Sequence, residues 1–492
     1  MSHAYLNRKI VCLCLLPTVI SILSCTIQKK IGRSAQSILK KPALATAHVG
    51  ITIYEPASGK YWFNYQGDHY FVPASNTKIP TCYAAMKYLG DSLVGLKYCY
   101  SVATDSDDII LVIQPSGDPT LLHPDFGDQP AWRFLMTGSE KFKDRMAVLD
   151  TAWEDQRWGD GWSWNDYNDD YMVERNSLPI FGNLINGRFS NEPERNRSAE
   201  PIGLNLFRTQ CRFFDSLVNK PVTIDERLLD INTSTNPSNI LLTRRMEQNE
   251  FDFVYSKTPQ AGFRIPFVTQ GNKTAIEIIS QNLGIQFGYL EKNNTGNSSY
   301  YYYCPGCRNQ KEIALRKWHL LYSQPTDSVL KPMMHRSDNF FAEQSLLMVS
   351  NHVLGVMSDE KIIDTLLKTD FKDLPQKPRW ADGSGLSRYN LFSPQDLVFI
   401  LNKMKDDFGM DRIKNIFPTG GEGTLTSHYL PERGSIFAKT GNLSGVICIS
   451  GFLYTKKNKL LIFSALVNNS NGSSAGVRKA VEEFIEGIRE RY

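Results

Sequence analysis

Ser75 and Lys78 lie three residues apart at the predicted start of a helix that continues to Leu89. Residues at positions i and i+3 of a helix share one face, so the Lys78 amine can reach the Ser75 hydroxyl. A serine hydroxyl is unreactive near neutral pH, but a lysine that is desolvated or crowded by other cations can lose its proton and accept that of the serine. The pair is therefore a candidate nucleophile and base.

This spacing alone is weak evidence, because other Ser-x-x-Lys runs begin at Ser37, Ser328 and Ser358, where each is most simply a solvated helix face. Two further motifs follow Ser75 in the chain, Ser337-Asp338-Asn339 and then Lys439-Thr440-Gly441. In isolation the first could be no more than a helix N-cap, where Ser and Asn are favoured. The ordered set of three motifs is much more specific than any one of them.

The length and composition suit a globular protein of two or three domains. The chain has 492 residues, of which 41% are apolar and 11% aromatic, and this is enough for extensive cores. The net charge of +4 is small for this length, and no Lys/Arg run is dense enough for a nucleic-acid footprint. Nucleic acid is therefore not expected as a partner.

The N-terminus predicts export. Arg8 and Lys9 precede an apolar run from Ile10 to Leu23, which is too short to span a bilayer comfortably and is typical of a secretory signal. Ile22-Leu23-Ser24-Cys25 resembles a bacterial lipobox, in which Cys25 would be the lipidated first residue of the mature chain. Ordinary cleavage near Ser24 is the alternative. We expect a periplasmic protein whose contact with a membrane, if any, is through a lipid at Cys25.

The cysteines indicate a structural role and no metal. Cys304 and Cys307 are close enough in sequence to close a local disulfide in an oxidising compartment, and a redox pair is the less favoured alternative. A zinc site would need a second Cys or His pair at suitable spacing, which the sequence lacks. We therefore predict no metal and no cofactor.

The pattern of apolar residues predicts several strands and helices. Alternation and turn signals place the strands, and a 3.6-residue period places the helices. The predicted strands are 48–54, 60–65, 108–113, 446–454 and 460–467, and the predicted helices are 274–283, 339–353 and 475–489. Lys439 would then lie at the head of a strand hairpin. The interval between Lys78 and Ser337 is far too long for a loop and predicts an inserted domain.

These residues resemble the class C low-molecular-mass penicillin-binding proteins, the D-alanyl-D-alanine carboxypeptidase/endopeptidase family. The three motifs in this order are the signature shared by penicillin-binding proteins and class A β-lactamases. Segments at 116–121, 161–166, 337–344, 382–388 and 423–425 are also similar to segments typical of the family. The resemblance covers nearly all of the mature chain.

The resemblance implies an α+β fold with a transpeptidase-like domain, in which helices cover an antiparallel sheet, interrupted by a large inserted region. The boundaries expected from the sequence are 1–25 for the signal, 26–99 for the first part of the transpeptidase-like domain, 100–265 for the insertion and 266–492 for the second part. Pro80 departs from the family pattern and is tolerable only if the helix begins at or just before Ser75, because an interior proline removes a hydrogen bond.

The resemblance also implies roles for particular residues. Ser75 would be acylated, Lys78 would be its base, Ser337 would relay a proton to the leaving amine, and Asn339 would hold the acyl amide. Lys439 and Thr440, in the run Lys439-Thr440-Gly441-Asn442, would bind the terminal carboxylate, and the backbone N–H groups of Ser75 and Asn442 would form the oxyanion hole.

Asp166 and Tyr171 match an acidic and an aromatic residue that line the pocket for the peptide side chain in relatives. The expected partners are peptidoglycan stem peptides and β-lactam antibiotics. The alternatives are a non-catalytic peptidoglycan-binding lipoprotein, against which the intact motifs argue, and a β-lactamase, for which no deacylating glutamate could be identified.

Overall fold

The computed structural model describes residues 31–102, 107–187, 230–235, 241–255, 263–292, 298–300 and 317–492. The predicted signal, Cys25 and the Cys304–Cys307 pair lie outside the described residues. Among the described residues, no helix combines the length and the apolar character that a membrane-spanning helix requires.

The described strands are, in chain order, β1 (His48–Glu55), β2 (Lys60–Tyr65), β3 (Ser92–Val102), β4 (Ile109–Pro115), β5 (Met146–Asp150), β6 (Leu184–Gly187), β7 (Asp230–Thr235), β8 (Leu241–Arg244), β9 (Glu250–Tyr255), β10 (Phe263–Pro266), β11 (Gly288–Lys292), β12 (Ser298–Tyr300), β13 (His319–Pro325), β14 (Ile436–Leu443), β15 (Val446–Tyr454) and β16 (Leu460–Asn468). The described helices are α1 (31–39), α2 (Lys78–Tyr88), α3 (Pro130–Phe142), α4 (Lys273–Leu283), α5 (Thr326–His335), α6 (Asn339–Leu354), α7 (Asp359–Lys368), α8 (Pro394–Ile416) and α9 (Ser474–Arg491).

The first sheet joins the two ends of the chain. Its order is β14-β15-β16-β1-β2, and every neighbouring pair is antiparallel. One face packs with α1 and α9 in a core that includes Ile51, Ile449 and Phe484, and the other packs with α2, α6 and α8 in a core that includes Phe341 and Leu466. Because helices cover both faces, β15 is apolar and buried along nearly its whole length.

The second sheet lies in the middle of the chain. Its order is β12-β11-β5-β4-β3-β13, with β4 and β11 parallel to β5 and the other pairs antiparallel. Helices α3 and α4 pack on it around a separate core that includes Leu111, Trp132 and Ile276. Two smaller sheets, β10-β6 and β7-β9-β8, complete the strand pairing of the described residues.

This strand order bears on the boundaries of the insertion. Strand β3 begins at Ser92 and pairs with β13, which ends at Pro325, so the second sheet draws on residues outside 100–265. We propose that the inserted region extends from about residue 92 to about residue 325, because the two strands that begin and end it are neighbours at one edge of the sheet.

The elements predicted from the sequence are present, and their ends differ from the predicted ones by at most two residues. The start of the nucleophile helix is more detailed than predicted. A 3₁₀ turn, Ala74–Thr77, carries Ser75, and the α-helix α2 begins at Lys78. Pro80 is the third residue of α2, where backbone N–H groups have no partner within the α-helix, so its missing donor costs little.

Candidate active site

The nucleophile turn holds Ser75 in a strained segment. Ala74, directly before it, is fully buried and has a φ of 48°, in the left-handed region that non-glycine residues rarely adopt. Ser75 itself is half-buried, and its hydroxyl lies 3.1 Å from the Lys78 Nζ. The predicted contact between these two residues is therefore present in the structure.

The Lys78 amine is held by two groups that can only accept hydrogen bonds. It is fully buried and donates to Asn339 Oδ1 at 2.6 Å and to the Ser384 carbonyl at 2.7 Å. With those two protons committed, a neutral amine directs its lone pair to Ser75. Burial lowers the pKa of Lys78 to about 8, although the Asp382 carboxylate acts in the opposite direction.

The Ser337-Asp338-Asn339 motif precedes and begins helix α6. Asp338 caps the helix by accepting from Phe341 N at 3.1 Å, which leaves Asn339 free to face Lys78 and Ser337 free to face Lys439. Ser337 has a φ of 60°, a second left-handed residue at this site. Asn339 also donates from Nδ2 to the Tyr171 carbonyl at 3.0 Å, so its amide orientation is fixed from both ends.

Lys439 lies on β14, the edge strand of the first sheet. Its Nζ donates to Ser337 Oγ at 2.9 Å and to the Thr440 carbonyl at 2.7 Å. The side chain is fully buried, and burial together with the nearby Lys78 holds its pKa well below the usual range. An incoming carboxylate would supply the counter-charge that this buried amine lacks.

The remainder of the motif explains why β14 can approach the nucleophile. A Cβ on Gly441 would lie 2.7 Å from the Pro73 carbonyl oxygen, so only glycine allows this close contact.

The backbone N–H groups of β14 alternate in direction. Ala438 N donates to the Pro418 carbonyl at 3.1 Å, on the side of β14 that faces away from β15. Alternate residues of an antiparallel strand direct their N–H groups to the same side. By this alternation the N–H of Asn442 also points away from β15, toward the open edge.

The predicted residues line one cleft of about 870 Å³. Its lining includes Ser75, Ser337, Asn339, Thr440, Gly441, Asn442, Asp166 and Tyr171. Lys78 and Lys439 lie behind this surface, within hydrogen-bond reach of Ser75 and Ser337. The fold therefore brings the three motifs together at one cleft, although they are far apart in the sequence.

Asp166 and Tyr171 lie on the inserted side of the cleft. Asp166 ends a 3₁₀ turn that begins at Trp164, and it is half-buried, whereas Tyr171 is more exposed. Burial raises the pKa of Tyr171, and the nearby carboxylates of Asp169 and Asp166 raise it further. The two predicted pocket residues therefore lie close to each other.

The sequence analysis gave Asp382, Gly383 and Ser384 no individual role, but this loop contributes to the site. The buried Asp382 carboxylate accepts from Gly385 N at 2.8 Å and from Ser387 N at 2.7 Å, and so fixes the peptide whose Ser384 carbonyl receives Lys78. Thr424 was also missed as a contact residue: Thr440 Oγ1 donates to its hydroxyl at 2.8 Å.

Comparisons with known proteins identify the family of the chain. The profile of the D-Ala-D-Ala carboxypeptidase 3 (S13) family matches residues 32–210 and 309–489, which contain all three motifs. The D-alanyl-D-alanine carboxypeptidase DacB of Haemophilus influenzae is 24% identical over 424 residues, 82% of each chain. The D-alanyl-D-alanine carboxypeptidase of Actinomadura sp. strain R39 is 23% identical over 475 residues, 91% of this chain and 82% of that protein.

A solved structure shows the same fold. The crystal structure of penicillin binding protein 4 (dacB) from Haemophilus influenzae superposes with a TM-score of 0.68 at 18% identity, covering 92% of this chain and 99% of that chain. The predicted α+β class is confirmed, and so is the predicted resemblance. The chain belongs to the D-Ala-D-Ala carboxypeptidase 3 (S13) family.

Proposed function

We propose that this protein is a serine D-Ala-D-Ala peptidase that cleaves peptidoglycan stem peptides through an acyl-enzyme on Ser75. The observation that supports this most directly is the position of the buried Lys78 amine between Ser75 Oγ, Asn339 Oδ1 and the Ser384 carbonyl. The same acyl centre serves a carboxypeptidase, which releases D-Ala, and an endopeptidase, which releases a cross-linked stem.

In the acylation step, Ser75 Oγ attacks the carbonyl carbon of the penultimate D-Ala while Lys78 accepts the hydroxyl proton. The backbone N–H groups of Ser75 and Asn442 stabilise the oxyanion that forms. Asn339 holds the acyl amide of the substrate. The proposed geometry requires Lys78 to be neutral, and the lowered pKa of its buried amine supports that state.

In the departure step, the C–N bond breaks and the leaving amine takes the proton that Lys78 accepted from Ser75. Ser337 is suited to relay that proton, because its hydroxyl accepts from Lys439 at 2.9 Å and it lines the cleft beside Ser75. Lys439 and the Thr440 hydroxyl bind the carboxylate of the leaving residue. Water then hydrolyses the ester, which releases the shortened peptide and restores Ser75.

β-Lactams would acylate Ser75 in the same way and deacylate slowly. Asp166 and Glu482 are the carboxylates in the cleft lining of the described residues. Glu482 is engaged with His428 and the Tyr429 N–H at 2.9 and 2.7 Å, and neither carboxylate hydrogen-bonds to Ser75. A water-activating carboxylate of the kind that a β-lactamase uses has no counterpart there.

The location of the enzyme is also a proposal. The sequence of residues 1–25 supports export to the periplasm, and Cys25 supports attachment to a membrane by lipid. Palmitate labelling and detergent partitioning of the full chain should be lost in Cys25→Ser. A mature wild-type protein that starts at another residue and carries no label would refute the anchor and leave the enzymatic proposal intact.

The decisive experiment is digestion of purified muropeptides followed by mass spectrometry of the products. Loss of a terminal D-Ala identifies carboxypeptidase activity, and conversion of cross-linked dimers to monomers identifies endopeptidase activity. Ser75→Ala should form neither product, and its intact mass should not change after treatment with benzylpenicillin. Product formation or a penicillin adduct that persists in this variant would refute the assignment.

A further inference from the structure

Glu343 is a buried carboxylate behind the active site, only 1% exposed. It lies on α6 four residues after Asn339, so both side chains project from the same face of the helix. Its Oε1 accepts from Ser384 N at 2.7 Å and its Oε2 accepts from Gly383 N at 3.2 Å. One face of α6 therefore carries Asn339, which accepts directly from Lys78, and Glu343, which holds the loop whose Ser384 carbonyl also accepts from Lys78.

Glu343 has a cationic partner from the inserted region. Arg175, 2% exposed, lies with Nη1 at 3.3 Å from Glu343 and 2.6 Å from Asp359, and with Nη2 at 3.0 Å from Asp155. A buried carboxylate without a cation would tend to take up a proton. Protonation of Glu343 would weaken the hydrogen bonds that it accepts from the two backbone N–H groups, because bonds to an ionised acceptor are the stronger ones. Arg175 therefore favours the ionised form that holds the loop.

We propose that Glu343 is a positioning residue for the peptidase reaction: it holds the Gly383–Ser384 backbone, and through it the Lys78 amine, in the geometry for proton transfer from Ser75, with Arg175 as its counter-ion. This inference rests on the proposed role of Lys78 as the base. Neither Glu343 nor Arg175 contacts the cleft, so both act through other residues.

The charge of Glu343 also acts on Lys78. The carboxylates that face this amine are Asp382 and Glu343, with Asp338 before α6, and each raises its pKa, whereas burial lowers it. The amine of Lys439 is also close to Lys78. Removal of the Glu343 charge therefore destabilises the Lys78 ammonium and lowers the pKa of Lys78 further.

The ionisation of Glu343 depends on its own neighbours. Burial raises its pKa, Asp382 and Asp359 raise it further, and Arg175 lowers it. Arg175 also pairs with Asp155 and Asp359, so a single guanidinium forms ion pairs with three carboxylates. The network is therefore sensitive to the loss of any one charge.

Glu343→Gln is the informative substitution. The amide keeps one oxygen, but its NH₂ group must face either Ser384 N–H or the pair formed by Gly383 N–H and Arg175, all of which are donors. Glu174→Gln is the matched control: Glu174 is fully buried and accepts from Thr269 N and Oγ1 at 2.8 and 2.7 Å, away from the catalytic loop.

The measurement is the second-order rate constant of acylation by benzylpenicillin as a function of pH, with thermal unfolding to establish that each variant is folded. In Glu343→Gln the limiting rate should fall by about tenfold or more, since small displacements of catalytic groups are costly. The pH at which the acylation rate constant of this variant reaches half its limiting value should also be lower than in the wild type, by about half a pH unit or more. Glu174→Gln should keep the wild-type midpoint.

A Glu343→Gln profile with the wild-type midpoint and a loss no larger than that of Glu174→Gln would overturn the proposal. If Glu343→Gln is not recovered folded, Glu343→Asp is the variant to measure. It keeps the negative charge on a shorter side chain, so the midpoint of the pH profile should not change and the limiting acylation rate should fall. A full wild-type rate in Glu343→Asp contradicts the positioning role. If neither variant folds, Glu343 serves the fold and the role is withdrawn.

The outcome can be separated from that of the proposed function. If wild-type Ser75 is not acylated, or if Lys78→Ala keeps the wild-type rate, the proposed function fails before Glu343 is considered. If both behave as expected and Glu343→Gln resembles the control, only the positioning role fails.

Discussion

The indole N–H of Trp162 donates a hydrogen bond to the Asp382 carboxylate at 2.9 Å. Trp162 belongs to the inserted region, and the same carboxylate fixes the loop whose Ser384 carbonyl holds Lys78. The insertion also supplies Arg175 to Glu343, and the Tyr171 carbonyl to Asn339. Residues from the insertion therefore support the base from three directions, and the catalytic geometry depends on how this region packs.

Acylation of Ser75 by benzylpenicillin is expected to rise with pH and to level off above about 8, where the Lys78 amine is neutral. Below that pKa the amine is protonated and cannot accept the serine proton, so the rate falls as the pH falls. Lys78→Ala should lower the rate by about 100-fold or more. A pH-independent rate in the wild type, or near-normal acylation in Lys78→Ala, would show that another group is the base. Stopped-flow kinetics with intact-mass detection gives both measurements.

Lys439→Ala is expected to weaken acylation mainly for substrates that carry the terminal carboxylate. Its amine contacts Ser337 and the Thr440 carbonyl, beside the position proposed for that carboxylate. For a D-Ala-D-Ala peptide the variant should lose about tenfold or more in kcat/KM. The control is the same peptide with its carboxylate amidated, for which the loss should be smaller. Equal losses on both peptides would assign Lys439 to the proton relay alone.

Gly385→Ala should abolish most acylation. Gly385 has a φ of 81°, and a Cβ there would lie 1.9 Å from the carbonyl oxygen of Ala74, the residue before the nucleophile. Such a contact must displace the nucleophile turn, and displacements of this kind can cost about 100-fold in rate.

Gly355→Ala is the matched control for that substitution. Gly355 has a φ of 73° but no atom within 4 Å of the added Cβ. Both variants carry the left-handed penalty of about 1–2 kcal/mol, which thermal unfolding measures. Only Gly385→Ala should lose acylation, and similar rates in the two variants would show that the nucleophile turn tolerates the displacement.

The sequence could predict elements whose residues repeat at a regular period and motifs whose residues are adjacent. The strands of the first sheet and helix α6 follow from local pattern, and the contact between Ser75 and Lys78 follows from helical spacing. The 3₁₀ turn at Ala74–Thr77 did not follow, because the left-handed Ala74 is imposed by packing, including the close approach of Gly385.

The support behind Lys78 could not be predicted, because its members meet only in the folded chain. Glu343 lies on α6, whereas Arg175 and Asp382 lie in two loops that are distant from each other in the chain. One signal was available: Glu343 is a charged residue within the predicted buried helix, between apolar positions such as Phe341 and Leu346. A buried charge in such a position needs a partner, but the sequence does not say which one.

Asp166 is the residue for which the specificity prediction is sharpest. It lines the cleft, it is half-buried, and its carboxylate lies close enough to Tyr171 to raise the pKa of the Tyr171 hydroxyl. We expect its carboxylate to bind a cationic group of the stem peptide, namely the free amine of a diamino acid at the third position, because a charge-assisted hydrogen bond there distinguishes such peptides from others.

Asp166→Asn should therefore lower kcat/KM for amine-bearing peptides by about tenfold or more, while acylation by benzylpenicillin, which lacks that amine, should change little. Asp170→Asn is the control, because Asp170 lies in the same segment and pairs with Arg264 at 3.3 Å outside the cleft lining. It should leave both rates near wild type. If Asp166→Asn reduced kcat/KM for the peptide and the rate of acylation by benzylpenicillin by the same factor, the role of Asp166 would be to support Tyr171 and the cleft wall. Another residue of the cleft lining would then have to bind the amine.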